Sequence, residues 1–417
     1  MLNLKELARG STTYFIANVI NAAVPFLLLP TLTRVLTTSE YGLVASFVTI
    51  ISVLSAFSGL SLHGIVSIKY FDKKINHPCF AGNCLILFTT TTTIILIFIY
   101  FSSDYLIKVT KLSQDWILIA VLACLAQLIS QIRLVLWQVK NKPVKYGIFQ
   151  ILQTTVNLTL SLILVIYLQM GWEGRASGIV ITFISFGMIA LYSLVRSRLV
   201  IFNINWSYIK IALRFGIPLI PHTIGGLLIV LGDRFIIAYF LGVDELGLYF
   251  VGIQVALVLS VAIDGFSKAY LPWLSAKLPT ASQQEKKAIV HLTYKLFIGI
   301  IASATIYSFF VYHLFPLILG SNFVSIRPYI PWMIFSAAFM GMYRLVGIYI
   351  FHSMKTEYLS LITITAGTLH AIICYFMVKE YGILGAVQAS CLASIATFLS
   401  TLIISERLYQ MPWFKRC

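Results

Sequence analysis

Apolar runs of about 20 residues, the length a helix needs to cross a bilayer core, recur along the whole of this chain. They centre near Pro25, Val53, Thr91, Cys124, Leu158, Ile184, Val230, Leu257, Ser303, Met340, Leu369 and Ala393. Few folds accept that pattern. In hydrocarbon every backbone amide must bond within its own helix or within a closed barrel. Barrel strands alternate apolar and polar residues, and these runs do not. Only 11% of the residues are charged, against roughly a quarter in soluble proteins. The expected class is an all-α polytopic membrane protein with about twelve transmembrane helices. The first run is too long for a cleaved signal and lacks a clear small-residue cleavage site. The longest connection, from about Lys268 to Lys295, is expected to hold one amphipathic helix lying on the membrane surface.

The chain also states one pattern twice. Arg133-Leu134-Val135 returns as Arg344-Leu345-Val346, and Gly171-x-x-Gly174 returns as Gly382-x-x-Gly385. Both returns come after 211 residues (344 − 133 and 382 − 171). Leu36-x-x-x-Glu40-Tyr41-Gly42-Leu43 is echoed by Leu241-x-x-x-Glu245-Leu246-Gly247-Leu248 after 205 residues (247 − 42). In so apolar a chain, shifts near half the length are the mark of a transporter built from repeats. The expected division is 1–205 and 206–417, two parallel six-helix lobes around a central cavity.

The net charge of +16 invites a nucleic-acid reading, and its distribution argues against one. Among Lys and Arg, only Arg34, Lys108, Lys111, Arg175, Arg327 and Lys379 fall on outer segments, with Arg234 and Arg344 inside spans. The rest lie on inner segments. By the positive-inside rule both termini are cytoplasmic. The seven tryptophans fall near span ends or in loops, as an interfacial belt requires. The six cysteines match no metal spacing and are expected to be buried small hydrophobes.

The first span of each half carries paired prolines, Pro25 with Pro30 and Pro218 with Pro221. Proline removes a helix hydrogen bond, which membranes tolerate where protein or a wet cavity satisfies the released carbonyl. Asn18 and Asn21 precede the first pair, and His222, Thr223, Gly225 and Gly226 follow the second. Spans one and seven are therefore expected to line the cavity and to flex, with the four prolines as gating positions. A static kink packed against its neighbours is the competing reading.

Charges inside a membrane are costly and need an explanation. Asp233 and Arg234 lie in span seven, Asp264 in span eight and Arg344 in span ten. At the 205-residue shift the first three correspond to Leu28, Leu29 and Gly59, so these charges are not part of the doubled scaffold. Arg234, Arg344, Asn18, Asn21 and His222 are the candidate substrate contacts, and Asp233 and Asp264 the candidates for a coupling ion, H+ or Na+. Structural anchoring competes with that reading, as lipid-headgroup snorkelling does for Arg133 and Arg344. His63, His222 and His370 could carry protons or simply pack. No Ser-His-Asp set, phosphate loop or metal-ligand spacing occurs in a supporting context, so neither catalysis nor a cofactor is expected.

The residues around span seven carry a resemblance. Arg214-Phe215-Gly216-Ile217-Pro218-Leu219-Ile220-Pro221-His222 runs on to Gly232-Asp233-Arg234-Phe235 and to Glu245-Leu246-Gly247-Leu248-Tyr249. With Pro30-Thr31-Leu32-Thr33-Arg34, Ser39-Glu40-Tyr41-Gly42 and the head Leu4–Ser11, the chain resembles the polysaccharide-transport branch of the multidrug/oligosaccharidyl-lipid/polysaccharide exporter superfamily. That resemblance implies a flippase in the bacterial inner membrane. It would turn undecaprenyl-diphosphate-linked O-antigen or capsule units to the outer leaflet, with ion coupling and with a polysaccharide polymerase and chain-length regulator as partners. The arginines that lipid II flippases carry in the first span are replaced here by Asn18 and Asn21, which counts against a peptidoglycan-precursor role. A multidrug or cation antiporter of the same architecture is the first alternative, and a membrane polysaccharide polymerase the second. The polymerase reading lacks a long outer loop or a catalytic acidic motif.

Overall fold

The structure is a computed structural model that describes residues 28–70, 72, 74–278, 281–353 and 357–413. No strand occurs among the described residues, and eleven helical segments there are long and apolar enough to cross a membrane. Each contains one of the expected span centres from Val53 to Ala393. The span centred near Pro25, with Asn18, Asn21 and Pro25 itself, lies outside the described residues, as do the side chains of Pro221 and His222.

The chain divides into two compact units. The first comprises residues 1–28 and 35–223, the second 29–34 and 224–417. In the first, α1 (Thr38–Gly59), α3 (His77–Phe101), α5 (Gln114–Val139), α6 (Pro143–Leu162) and α7 (Gly171–Arg196) are the long helices. Short α2 (Leu62–Lys69), α4 (Ser103–Thr110) and α8 (Trp206–Gly216) fill in around them. Thr37 and Glu40 form a capping box that starts α1, with Glu40 N–H donating to Thr37 Oγ1 at 3.2 Å and Thr37 N–H to Glu40 Oε2 at 2.9 Å. Phe47, Phe80 and Phe88 are fully buried in its core. The boundary expected at 205/206 falls just before α8. Asn83 ties that stretch to the first unit, donating to Asn203 C=O at 2.8 Å and accepting from Asn205 N–H at 2.9 Å.

The second unit is built from α9 (Ile220–Phe240), α10 (Val243–Lys277), α11 (Gln283–Ile318), α12 (Ile330–His352), α13 (Glu357–Tyr381) and α14 (Ile383–Leu408). The stretch from Lys268 to Lys295 does not form the separate surface helix expected for it. Instead α10 and α11, of 35 and 36 residues, run on through it. At 1.5 Å per residue each is about 50 Å long, beyond a core of about 30 Å. A second capping box, Ser282 with Glu285, starts α11 before the apolar stretch begins.

The doubled motifs have a structural reason in each unit. Gly171 and Gly382 take positive φ (55° and 61°) where α7 and α14 begin, a conformation open to glycine. A Cβ on Gly174 would lie 3.0 Å from the Leu164 backbone, and one on Gly385 would lie 2.0 Å from Met377 O. Glu40 Oε1 occupies the space beside Gly171 in the first unit. In the second, Glu245 and Gly382 line one cavity.

Candidate functional site

The prolines of span seven sit at its start. Pro218 lies in one 3₁₀ turn, Ile217–Leu219, that joins α8 to α9, and Pro221 falls in the first turn of α9. A first-turn amide has no helical partner to lose. The turn lies just ahead of the boundary between the units. Pro30 sits in a helical segment over 28–35.

Of the three glycines that flank these prolines, two admit close packing. A Cβ on Gly216 would lie 2.6 Å from Leu60 O, and one on Gly225 would lie 2.9 Å from the Ile364 backbone. Only Gly226 is open, with nothing within 4 Å.

Close packing at Gly225 sets up a buried polar cluster in the second unit. A Cβ on Gly367 would lie 2.5 Å from Gly225 O, so α9 and α13 approach through small residues. Three residues further along each helix, His370 Nδ1 meets Leu228 C=O at 3.1 Å. A carbonyl only accepts, so Nδ1 carries the hydrogen and, in the neutral ring, Nε2 is the acceptor. Ser390 Oγ of α14 lies 3.2 Å from that Nε2 and 3.3 Å from Asp233 Oδ2 of α9. Tyr249 of α10 donates its hydroxyl to the same carboxylate oxygen.

The other carboxylate oxygen, Asp233 Oδ1, is buried without a hydrogen-bond partner among the described residues. Asp233, Tyr249 and His370 are all buried. Ser390 has a single hydrogen and four acceptors in reach, since Ala386 C=O lies at 2.9 Å and the Tyr249 hydroxyl at 3.4 Å. The arrangement can pass a proton between a carboxylate and an imidazole through one hydroxyl. Its oxygens could also hold a small cation.

Arg234 follows Asp233 on α9, about 100° further round the helix. It is 8% exposed and its Cζ lies 5.1 Å from the centre of the Phe250 ring, within cation–π range. The other two charged candidates meet each other. Arg344 Nη1 of α12 donates to Asp264 Oδ1 of α10 at 2.8 Å, with both side chains about two-fifths exposed (39% and 44%). Both residues lie in candidate spans, where each charge compensates the other. Its sequence counterpart Arg133 does not snorkel. It is 5% exposed, with Cζ 4.3 Å above Trp137. His63 lies exposed on α2. Among the described residues no group of three or more His, Cys, Asp or Glu could hold a metal ion.

The family model described as polysaccharide biosynthesis protein matches residues 7–277. The chain belongs to this family. It is 26% identical over 365 residues to an uncharacterized membrane protein of Haemophilus influenzae, covering 85% of this chain and 86% of that one. Its fold is similar to lipid II flippase MurJ in an inward closed conformation, with TM-score 0.73 at 12% identity over 95% of this chain and 87% of that one. It is likewise similar to an inward-facing multidrug resistance MATE family transporter of the MOP superfamily, with TM-score 0.69 at 15% identity over 95% of both chains. The fold is thus that of the exporter superfamily the sequence resembles, in a multi-pass membrane protein.

Tyr249 and Ser390 are the contributors that sequence reasoning missed. Their signal was weak. Ser390 and Ser394 stand one turn apart on span twelve, and Tyr249 closes a motif read only for its resemblance.

Proposed function

We propose that this protein flips polyprenyl-diphosphate-linked oligosaccharides, of the O-antigen or capsule type, from the inner to the outer leaflet of the bacterial inner membrane. Membership of the polysaccharide biosynthesis family in a chain of eleven described candidate spans carries this reading. A diphosphate cannot cross hydrocarbon unaided, because burying its charge is prohibitively costly. Arg234 and Arg344 are the cations of the second unit that could replace its water with charge-assisted hydrogen bonds. Asn18, Asn21 and His222 remain candidate contacts on the spans that would line the path. Rocking of the two units gives alternating access.

Coupling is assigned to protons at Asp233. Na+ would be the choice if its oxygens formed a fuller shell, but an imidazole and a partnerless buried carboxylate oxygen favour a proton. Asp264 is the weaker candidate, since Arg344 already matches its charge. Gating is assigned to Pro218 and Pro221, with Pro25 and Pro30 in the first half, because a 3₁₀ turn inside a helical run marks a place that can rearrange. Both termini are cytoplasmic, and a polymerase and chain-length regulator act on the product.

The experiment is a deletion strain examined for surface polysaccharide on a gel. The expected result is loss of polymer and its return with the parent gene. Unchanged polymer in the deletion strain would contradict the proposal.

A further inference from the structure

The first unit buries polar groups that proton coupling does not use. A cavity of about 560 Å³ lies among α1, α5, α6 and α7. Helix α6 turns Gln150, Gln153 and Asn157 to it, spaced i, i+3 and i+7 on one face. Helix α5 adds Gln127 and Gln131, one turn apart, and Ile179 and Phe183 of α7 supply apolar wall. Amides inside a span are costly unless they meet partners. Several here are only partly engaged. Ser55 Oγ donates to Gln127 Oε1 at 3.2 Å. Gln150 Oε1 is buried without a hydrogen-bond partner among the described residues.

We infer that this cavity is a subsite for the neutral saccharide of the lipid-linked substrate. The chemistry excludes other classes in turn. No carboxylate is among its described lining residues, so nothing there selects a cation. The one cation among its described lining residues, Arg175, is held against α6, with Nη1 donating to Asn157 Oδ1 at 2.7 Å and to Ser161 Oγ at 2.6 Å, and stands alone in a lining otherwise neutral. What remains is a set of neutral groups that each donate and accept, the match for hydroxyls that do the same. Phe183 and Ile179 offer surface for the C–H faces of a sugar ring. Ordinary pockets combine an apolar wall with a few convergent polar groups in this way.

The inference rests on the flippase reading, and the test separates the two. The probes are the lipid-linked saccharide that accumulates in the deletion strain, purified, and undecaprenyl diphosphate without sugar. Binding of each is measured to the full chain in lipid nanodiscs. The parent is expected to bind the saccharide lipid about tenfold more tightly or better, a difference that one or two well-made hydrogen bonds supply. Gln127→Leu with Gln153→Leu should bring the two affinities within about threefold while leaving undecaprenyl diphosphate unchanged. Should the double variant fail to reach the membrane, Gln153→Leu alone should show an intermediate loss. Equal binding of both lipids by the parent, or equal loss of both by the variants, overturns the saccharide subsite and leaves the flippase reading standing. A deletion strain that accumulates no saccharide lipid, or a parent that binds neither probe, overturns the flippase reading and the inference with it.

Discussion

Arg133 and Arg344 hold the same place in the doubled sequence and meet opposite surroundings. Arg133 is buried over Trp137, and its Nε and Nη1 have no hydrogen-bond partner among the described residues. Arg344 is part-exposed and paired with Asp264. The contrast extends to the units around them. Each buries a guanidinium and an imidazole, Arg133 and His77 in the first and Arg234 and His370 in the second; the first adds neutral amides about a cavity, the second the Asp233 carboxylate. What the halves share is geometry: the glycine turns that start α7 and α14, and the glutamates Glu40 and Glu245 near them. What they do not share is the polar chemistry that a transported molecule or ion would meet. A repeat can keep its scaffold twice and change its chemistry once, and the account assigns saccharide to the first unit and proton to the second.

The shared scaffold is the easiest part to break. Gly385→Ala places a Cβ 2.0 Å from Met377 O, so backbone must move. The expected cost is about 1–3 kcal/mol or more, read as a lower melting temperature and less folded protein. Gly174→Ala, at 3.0 Å, should cost less, and Gly226→Ala, with open space, should change nothing measurable. A smaller effect is expected at Tyr249→Phe, which removes one donor from the Asp233 carboxylate. Hydrogen bonds to charged groups contribute about 1.5–3 kcal/mol. Flux in proteoliposomes should fall about tenfold while the amount of inserted protein stays constant. The doubled arginines should respond differently. Arg344→Leu should lower stability, because it leaves Asp264 without that partner inside a candidate span. Arg133→Leu should leave stability equal or raised, because replacing a poorly satisfied buried charge with a packed apolar group is often neutral or better. Thermal melts of the two variants, compared directly, sharpen the contrast between their surroundings.

Much of the fold was legible because bilayer thickness sets a length that apolar runs must meet. That is why every span centre from Val53 onwards falls inside a helix. The doubling was legible because glycine turns leave residues that cannot drift. The continuation of α10 and α11 past the bilayer was not, since an amphipathic stretch has the same composition whether it lies on the membrane or extends from it. Asp233 stood out as a charge in a span, but its partners did not. Ser390 lies 157 residues away and His370 reaches the cluster only because Gly225 and Gly367 bring two backbones together. The pairing of Asp264 with Arg344, 80 residues apart, was hidden for the same reason. Gln150, Gln153 and Asn157 were visible as one helical face, yet charges in neighbouring spans drew the reading away from neutral amides.

Proton coupling at the second unit is tested most directly in proteoliposomes loaded with the lipid-linked saccharide, by comparing flux with and without a pH gradient. The parent should flip faster with the gradient. Asp233→Asn, which keeps the side chain's size and removes its titrating oxygen, should flip slowly and at the same rate in both conditions. An Asp233→Asn protein that still responds to the gradient as the parent does would contradict the account.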